Sequence, residues 1–486
     1  MINSLIVLGG GQAGLISALM MRAFMPKLKI TIIKSDDIGT IGVGEGSTEH
    51  WTLFTQICNI NTKELVEQTD ATYKLGVKFT NWNGDGKHYF HFLMKGRHMK
   101  EPRQLYEIGV ATDYIDGHSA APDWVENNRF ISEIPDEHFF INQYHFEATK
   151  LNTYLLNLCR RRDINIITDK INDVGLDEQG YIDHLVGDVT YKADFFIDCS
   201  GFKRVMGSKV GIKWVDRGHH LPVNHAIAFP TGYEEDIPAY SECKAMKHGW
   251  MWKLPTYNRN GNGYVFGDDF ATTDQVIEEV ETLWGEKINV ARDIKFRAGH
   301  SDKYWAKNVV VAGLSGSFVE PLEASSIGST IQQMILLGQG LSIWERGSAF
   351  LSKKYNNCLS QVIDNIVDFV QLHYITKRTD TEFWRQDIQL TDFNKEALTI
   401  FRKQLPHQLL FGYDNPYFLY NSSNFAQVLT GLEITDRSVV EKYVKTYYND
   451  EYQMHSALVK QSIENDSITP TVSHRDFLGL TIHADV

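Results

Sequence analysis

The sequence has few of the features that mark secreted, metal-binding or nucleic-acid-binding proteins. Its five cysteines are scattered and include no Cys-x-x-Cys pair, so we expect neither a disulfide framework nor a metal site. A formal net charge of -13 without a basic run excludes a nucleic-acid interface. Apolar runs of about 18 residues are absent, and so is the pattern of a signal peptide. We therefore expect a cytoplasmic protein that binds neither membrane nor nucleic acid.

The stretch SLIVLGGGQAGLISALMMRAF, from residue 4, has the pattern of a nucleotide site. An apolar run is followed by Gly9, Gly11 and Gly14 and then by helical periodicity. In such a turn the glycines permit a tight bend, a close approach to pyrophosphate and close packing of helix on strand. Lys34 ends the next apolar run, where many dinucleotide folds have an acid that binds ribose. Asp36 and Asp37 follow it, and the pattern leaves their role open.

Two later segments repeat the design of a strand followed by small residues. They are ADFFIDCSGF (193–202) and NVVVAGLSGSF (308–318). We expect an α/β fold with a doubly wound, Rossmann-like domain over residues 1–330, discontinuous and interrupted by inserted strands at about 76–145 and 235–290. Apolar spacing of three and four after about residue 328 predicts a mainly helical region at 331–486. Segment 87–128 has the composition of a loop-rich insertion.

Three segments carry candidate chemistry. In ATYKLGVKFTNW, apolar and polar residues alternate, which predicts one strand with Lys74 and Lys78 on the same face. That pattern is also usual for the wet face of a sheet. GSFVEPLEASSIGS (316–329) places Glu320 and Glu323 before a helix predicted to start near Ser325, whose first amides can bind an anion or simply be capped.

The third segment is GWMWKLP (249–255). As a strand it puts Trp250 and Trp252 on one face as a flat indole wall, and Pro255 ends the pairing. Aromatic core packing is the alternative.

Taken together, these segments resemble the flavin-dependent halogenases of the tryptophan-halogenase family. The glycine motif, Lys74 in TYKLGVKF, Trp250-Trp252-Pro255 and FVEPLEASSIG occur in the family's order. The stretches TIGVGEGST, DCSGFKR and KRTDTEFWR are also similar to family sequence, so the resemblance covers nearly the whole chain. GEGSTEH and the reduced insertion resemble a divergent branch that includes phage-encoded members, for which the compartment is the host cytoplasm.

The resemblance implies an FAD-binding domain of the flavoprotein monooxygenase type, a β-rich substrate region and a helical C-terminal part that completes the substrate site. The implied cofactor-binding residues are Gly9, Gly11, Gln12, Ala13, Gly14, Gly44, Glu45, Gly46, Gly313 and Ile327. The implied halide-binding residues are Ser325 and Ser326, and His91, Asn424 and Phe425 are implied to line the substrate site.

It also implies a reaction. Reduced FAD, supplied by a separate flavin reductase, and dioxygen oxidise a halide ion to hypohalous acid, which reaches Lys74. A lysine suits this role because its ammonium group donates hydrogen bonds, while burial lowers a lysine pKa and allows a haloamine. Glu323 stabilises the cationic ring and accepts its proton. The Trp pair, Trp250 and Trp252, keeps the small aromatic substrate away from the flavin, and Lys78 is structural.

Two departures from the family pattern bear on function. The chain has Ala324-Ser325-Ser326 where the family has Ser-Thr-Gly, so the usual serine partner of the glutamate is missing. It has Asn424-Phe425 where members acting on free tryptophan have a Tyr-Tyr pair. We therefore expect another electron-rich arene or heteroarene as substrate.

Two other functions remain open at this stage. One is a flavoprotein monooxygenase that hydroxylates its substrate directly, and the other is a non-catalytic flavin-binding protein. The sequence fixes neither the halide, nor the position attacked, nor whether the chain forms a homo-oligomer.

Overall fold

The computed structural model describes residues 2–37, 44–92, 127–131, 143–402, 415–434, 437–468 and 470–483. The chain forms two compact units, each made of three stretches of sequence. Unit 1 comprises 1–69, 146–218 and 297–364, and unit 2 comprises 70–145, 219–296 and 365–486. Within the described ranges, no helix is both long and apolar enough to cross a membrane.

Unit 1 is built on a six-stranded sheet. In spatial order its strands are Trp305–Ala306, Val309–Val311, Phe195–Asp198, Ser4–Leu8, Lys29–Lys34 and Asn165–Thr168. All neighbouring pairs are parallel except the first. The three predicted strand-and-glycine segments thus lie side by side, which confirms the α/β fold class. One face is covered by apolar side chains from these strands and their neighbours, including Ile6, Phe196 and Val309.

The remaining elements of unit 1 surround this sheet. Its α-helices are Gln12–Phe24, His50–Ile57, Thr62–Thr69, Ala148–Arg161, Val205–Lys209 and Ser325–Leu341, with Phe350–Leu372 running on into unit 2. Its short strands are Glu45–Gly46, Asp173–Leu176, Ile182–Val186, Thr190–Tyr191, Trp214–Asp216, Gly299–Ser301 and Ser317–Phe318. Its 3-10 turns are Gly201–Lys203, Gly313–Ser315 and Leu322–Ala324.

Unit 2 is built on a seven-stranded sheet. Its order is Arg292–Lys295, His225–Gly232, Arg259–Phe266, Gly249–Pro255, Tyr240–Ala245, Gly76–Thr80 and His88–Phe92. The pairing is antiparallel except between Tyr240–Ala245 and Gly76–Thr80, which run parallel. Helix Thr273–Trp284 packs on one face through Val276 and Val280.

Two short strand pairs and several helices complete unit 2. Thr72–Tyr73 pairs with Tyr144–Phe146, and Thr471–Ser473 pairs with Arg129–Ile131. The helices are Glu382–Arg385, Asp392–Arg402, Ser422–Gly431, Arg437–Tyr447, Asn449–Ile468 and His474–His483, and a 3-10 turn spans Gly218–His220. The described residues after 331 are therefore mainly helical, as the periodicity predicts. Most of the predicted insertion 87–128 lies outside the described residues.

A buried carboxylate, Asp198, fixes the end of the central strand of unit 1. The Asp198 side chain is fully buried, and one of its oxygens accepts the backbone N–H groups of Met206 and Gly207, each at 2.8 Å. The other oxygen accepts the Ser200 N–H and hydroxyl at 3.0 and 2.6 Å. The Ser315 hydroxyl lies 3.3 Å from the same oxygen and 3.0 Å from the Gly201 carbonyl oxygen. Asp198 therefore joins the sheet to the turn that follows it.

We expect Asp198→Asn to lower the melting temperature, with a loss of about 2–5 kcal/mol, because an amide group replaces one acceptor oxygen and faces buried donors. Scanning calorimetry measures the change. The matched control is Asp173→Asn, which removes an exposed partner of Lys209 at 2.7 Å and is expected to change little. Equal melting temperatures for the two variants would contradict this role of Asp198.

Candidate active site

The three glycines of the N-terminal motif have different tasks. A Cβ atom at Gly9 would lie 2.2 Å from the Cys199 carbonyl oxygen, and one at Gly14 would lie 2.0 Å from the Gly9 carbonyl oxygen. These two glycines are therefore required for packing within unit 1. A Cβ atom at Gly11 would have no atom within 4 Å. Gly11 thus leaves open space directly before the helix that begins at Gln12.

Residues around this space fit an anionic cofactor such as FAD. The side-chain nitrogen of Gln12 is buried and has no hydrogen-bond partner within the described part of the chain. Gly313 has a positive φ of 59°, and a Cβ atom there would lie 2.5 Å from the Cβ atom of Ala13. An unpartnered buried donor beside a helix N-terminus can bind a pyrophosphate. The donor set therefore fits the predicted cofactor.

The next predicted cofactor residues, Gly44, Glu45 and Gly46, lie near the second candidate segment. Strand Glu45–Gly46 contacts the turn Leu322–Ala324 within unit 1. Glu45 is half-buried by solvent accessibility, yet desolvation by the surrounding protein raises its pKa to about 7. Near neutral pH its carboxyl group is therefore only partly ionised, which limits repulsion of an anionic ligand.

The turn before helix Ser325–Leu341 has an unusual backbone. Glu323 and Ala324 both have left-handed conformations, with φ of 65° and 52°. Such residues cost about 1–3 kcal/mol each and concentrate at functional sites. Ala324 stands at the N-cap, where it has no side-chain oxygen to offer the first amides of the helix, those of Ser325 and Ser326. This turn can bind a small anion through those amides.

Helix packing brings the two candidate segments of unit 1 together. Helix Gln12–Phe24 packs along helix Ser325–Leu341, so closely at Gly338 that a Cβ atom there would lie 2.4 Å from the Phe24 ring. Ile327, a predicted cofactor residue, is buried in the first turn of the second helix. The predicted helix start at Ser325 is confirmed.

The prediction of one strand carrying both lysines is wrong. The chain forms strand Thr72–Tyr73 and then strand Gly76–Thr80, and Lys74 lies in the break between them. Lys74 is only 1% exposed, so it does not lie on a wet face. Lys78 is half-buried, with its ammonium group 5.5 Å from the Phe90 ring centroid and 5.4 Å from that of Tyr240. The alternation failed because the chain passes at Lys74 from the pairing of Thr72–Tyr73 with Tyr144–Phe146 to the seven-stranded sheet.

A chain of hydrogen bonds crosses unit 2 beside Lys74. The Thr72 hydroxyl donates to the Pro255 carbonyl oxygen at 2.5 Å and lies 3.1 Å from Nδ1 of His145. Because its only proton is used, the hydroxyl accepts the Nδ1–H group of His145. Nε2 of His145 therefore carries no proton, and it accepts a hydrogen bond from the Ser241 hydroxyl at 3.0 Å. The chain connects three strands and the end of GWMWKLP.

His145 is neutral in this arrangement. Burial lowers the pKa of His145 well below its usual value, and the charge of Lys74 and then His474 add smaller effects in the same direction. A neutral imidazole supplies one donor and one acceptor, as the hydrogen-bond chain requires. It also avoids placing a second positive charge near the buried ammonium group.

The segment GWMWKLP is a strand that ends at Pro255, as predicted. Trp250 is fully buried, and its indole N–H donates to the Tyr374 hydroxyl at 3.0 Å. Trp252 is half-buried and pairs in register with Gly263, where a Cβ atom would lie 2.1 Å from the indole. The two rings are 6.1 Å apart and tilted by 55°, so the predicted flat wall is wrong. Each indole has its own surroundings, and these set the tilt.

The predicted substrate-lining residues of unit 2 also meet. His91 is fully buried, and its Nε2 lies 2.9 Å from the Asn424 side-chain nitrogen. Phe425 is buried against the rings of Phe369 and Phe393, at 5.0 and 5.2 Å. The sequence thus identified a real cluster, and its role in binding substrate stays a prediction.

Sequence reasoning missed several residues near these groups. His145, Tyr374 and His474 reach the predicted segments from distant parts of the chain, and no local pattern marks them. Gly263 was detectable, because a glycine inside a strand pattern such as RNGNGYVF indicates a close approach by a neighbour.

Comparison with known proteins agrees with these motifs. The family model described as tryptophan halogenase matches residues 4–446. The 7-chloro-L-tryptophan 6-halogenase KtzR of Kutzneria sp. (strain 744) is 30% identical over 446 residues, covering 83% of this chain and 85% of that protein.

Solved structures share the fold over nearly the whole chain. The tryptophan halogenase from Shewanella frigidimarina NCIMB 400 has a TM-score of 0.89 at 23% identity, covering 99% of this chain and 98% of that chain. Xcc4156, a flavin-dependent halogenase from Xanthomonas campestris, has a TM-score of 0.85 at 25% identity, with the same coverage of 99% and 98%.

The different tasks of the glycines predict different defects. We expect Gly11→Ala to fold with an unchanged melting temperature but to weaken FAD binding at least about tenfold, because its methyl group enters the open space that a pyrophosphate would occupy. Flavin fluorescence titration measures this. Gly14→Ala should instead unfold at lower temperature, since its methyl group meets backbone. Normal FAD affinity in folded Gly11→Ala would refute the assignment.

Proposed function

The chain belongs to the tryptophan halogenase family and is a flavin-dependent halogenase, and from this premise we propose that it halogenates an electron-rich arene or heteroarene through hypohalous acid. The buried Lys74, in the break between two strands, is the observation that carries the proposal. Burial of a charged group costs free energy, so a lysine removed from water indicates a functional role.

The residues of unit 1 would hold FAD. Gly11 and Gln12 offer the open space and the buried donor, and Ala13 and Gly313 form the adjoining backbone. When bound and reduced, FAD supplies, with dioxygen, the oxidising power that converts halide to hypohalous acid.

The turn at Glu323 and Ala324 prepares the halide site. The amides of Ser325 and Ser326 start a 17-residue helix, whose dipole favours an anion at this end. Because Ala324 presents no competing side-chain oxygen, the missing family serine does not prevent halide binding. Backbone amides suit chloride, bromide and iodide alike, since their contact depends on charge more than on shape.

Lys74 would orient the oxidant for electrophilic substitution. Its ammonium group donates hydrogen bonds to hypohalous acid, or its neutral amine carries the halogen as a haloamine. The aromatic carbon attacks the halogen, the halogen–oxygen or halogen–nitrogen bond breaks, and the ring becomes cationic. Glu323 accepts the ring proton, which restores aromaticity. The net change converts arene and hypohalous acid to haloarene and water.

We expect Lys74→Ala to lower product formation by about 10²–10⁴-fold while flavin binding and hypohalous acid formation persist, because the lysine acts after the oxidant forms. Mass spectrometry of product and a chemical trap for hypohalous acid measure the two quantities. Lys78→Ala is the matched control on the following strand and should be nearly silent. An active Lys74→Ala variant with an inactive Lys78→Ala variant would reverse the assignment.

Glu323→Gln is expected to lose about 10²–10³ in rate, because the amide keeps the shape but not the charge that stabilises the cationic ring. Single-turnover product formation under a fixed supply of reduced flavin measures this loss. Wild-type rates would remove Glu323 from the reaction.

Substrate and reductant follow from sequence features that the family match leaves open. Because Asn424 and Phe425 replace a Tyr-Tyr pair, we expect free tryptophan to react slowly compared with other electron-rich arenes.

Because the sequence has a single GxGxxG motif, we expect a separate reductase to supply reduced FAD. Purified protein with NADH, with and without a flavin reductase, is assayed against an aromatic panel. Rapid reduction without reductase, or efficient single-position halogenation of tryptophan, would refute the respective point.

A further inference from the structure

The backbone around Lys74 is held by separate segments of unit 2. The Lys74 N–H donates to the Gln143 carbonyl oxygen at 2.9 Å, and the Leu75 N–H donates to the Ala239 carbonyl oxygen at 2.7 Å. The Tyr73 N–H, one residue before the lysine, donates instead to a side chain, Nε2 of His474, at 3.0 Å. This last contact joins positions that are 401 residues apart.

The surroundings of His474 leave its Nε2 atom as a hydrogen-bond acceptor. It is 1% exposed, and its Nδ1 lies 3.2 Å from the Ile237 carbonyl oxygen. A carbonyl oxygen only accepts, so Nδ1 carries the proton and Nε2 is left as the acceptor for Tyr73. Burial lowers the pKa of His474 to about 3, so this neutral tautomer persists across the working pH range.

Neighbouring residues position His474 independently of Lys74. Strand Thr471–Ser473 pairs with Arg129–Ile131, and the Arg475 guanidinium donates to the carbonyl oxygens of Glu234, Glu235 and Tyr257. The imidazole also packs on the Phe130 ring, with centroids 4.4 Å apart. The acceptor is therefore held by contacts that do not involve Lys74.

We propose that His474 is a positioning residue for Lys74 and that the C-terminal segment 471–483 is thereby part of the halogenation machinery. The family model matches residues 4–446 and does not include this segment, although the solved structures share the fold over 99% of the chain. The proposal rests on the proposed role of Lys74. Its physical basis is that Lys74 lies in the break between two strands, where backbone carbonyl oxygens hold the N–H groups of Lys74 and Leu75 but a side chain, His474, holds the N–H group of Tyr73. Small displacements of a reacting group cost large factors in rate.

The test uses the full-length protein with FAD, a flavin reductase and halide. His474→Phe keeps a packed ring but removes the acceptor. We expect kcat for halogenation to fall about 10–100-fold, while FAD binding and total hypohalous acid formation stay at wild-type levels. The ratio of trapped hypohalous acid to halogenated product therefore rises. His474→Gln, whose carboxamide can accept from Tyr73 and donate to Ile237, should restore most of the coupling.

Two further variants separate positioning from stability. Phe477→Leu weakens packing of the same helix on the rings of Phe130 and Tyr73, whose centroids lie 4.6 and 5.5 Å from that of Phe477, without removing the acceptor. It should lower the melting temperature and leave the ratio of trap to product unchanged. If His474→Phe does not fold, His474→Asn provides the comparison with His474→Gln: its shorter carboxamide should not reach the Tyr73 N–H and should lose coupling.

Each outcome decides the proposal. Wild-type coupling in folded His474→Phe, or in His474→Asn, would overturn the positioning role, and so would an equal loss of coupling in Phe477→Leu. If these variants behave as wild type while Lys74→Ala is inactive, only the positioning role fails. Product formation by Lys74→Ala would overturn both proposals, because no lysine would then need positioning.

Discussion

Burial of one lysine is the constraint on which the organisation of unit 2 depends. An ammonium group with almost no contact with water needs neutral polar neighbours in fixed positions, because both repulsion and unsatisfied hydrogen bonds are costly in a dry site. His145, whose pKa the charge of Lys74 helps to lower, meets this requirement as a neutral imidazole with its tautomer set by its partners. His474 is a second neutral imidazole, and it accepts the Tyr73 N–H one residue before the lysine. The polar network and the break between the two strands thus both serve to accommodate the buried lysine.

Unit 1 offers features of a different kind, which fit a negatively charged ligand. They are the amides at the start of helix Ser325–Leu341, the open space at Gly11, and Glu45, whose pKa burial raises to about 7. The left-handed pair Glu323 and Ala324 is strained, and the surrounding helix packing must supply the energy that holds it. The features that fit an anion therefore belong to unit 1, and the buried lysine belongs to unit 2.

Local pattern predicted much of this organisation. Three features could be predicted because each depends on neighbours a few residues away in the sequence. They are the glycine motif, the helix start at Ser325 and the strand ending at Pro255. Alternation misplaced Lys74 because a two-residue periodicity does not reveal where the chain passes from one sheet to another. It also misjudged the Trp pair, whose tilt depends on Gly263 and Tyr374. Contacts such as Tyr73 with His474 are set by tertiary structure, and a single sequence has no signal for them.

The interleaving of the two units has a consequence for synthesis on the ribosome. The central sheet of unit 1 pairs Leu5 with Phe195 and Phe196 with Val309, so its first strand lacks a neighbour on that side until nearly 200 residues have followed it. In unit 2, strand Arg129–Ile131 likewise has no partner until strand Thr471–Ser473 has been synthesised. Such long-range pairing slows folding and leaves sheet edges exposed in the nascent chain. Slow translation and low temperature should therefore favour recovery of active protein, and neither unit can be expressed as one uninterrupted stretch.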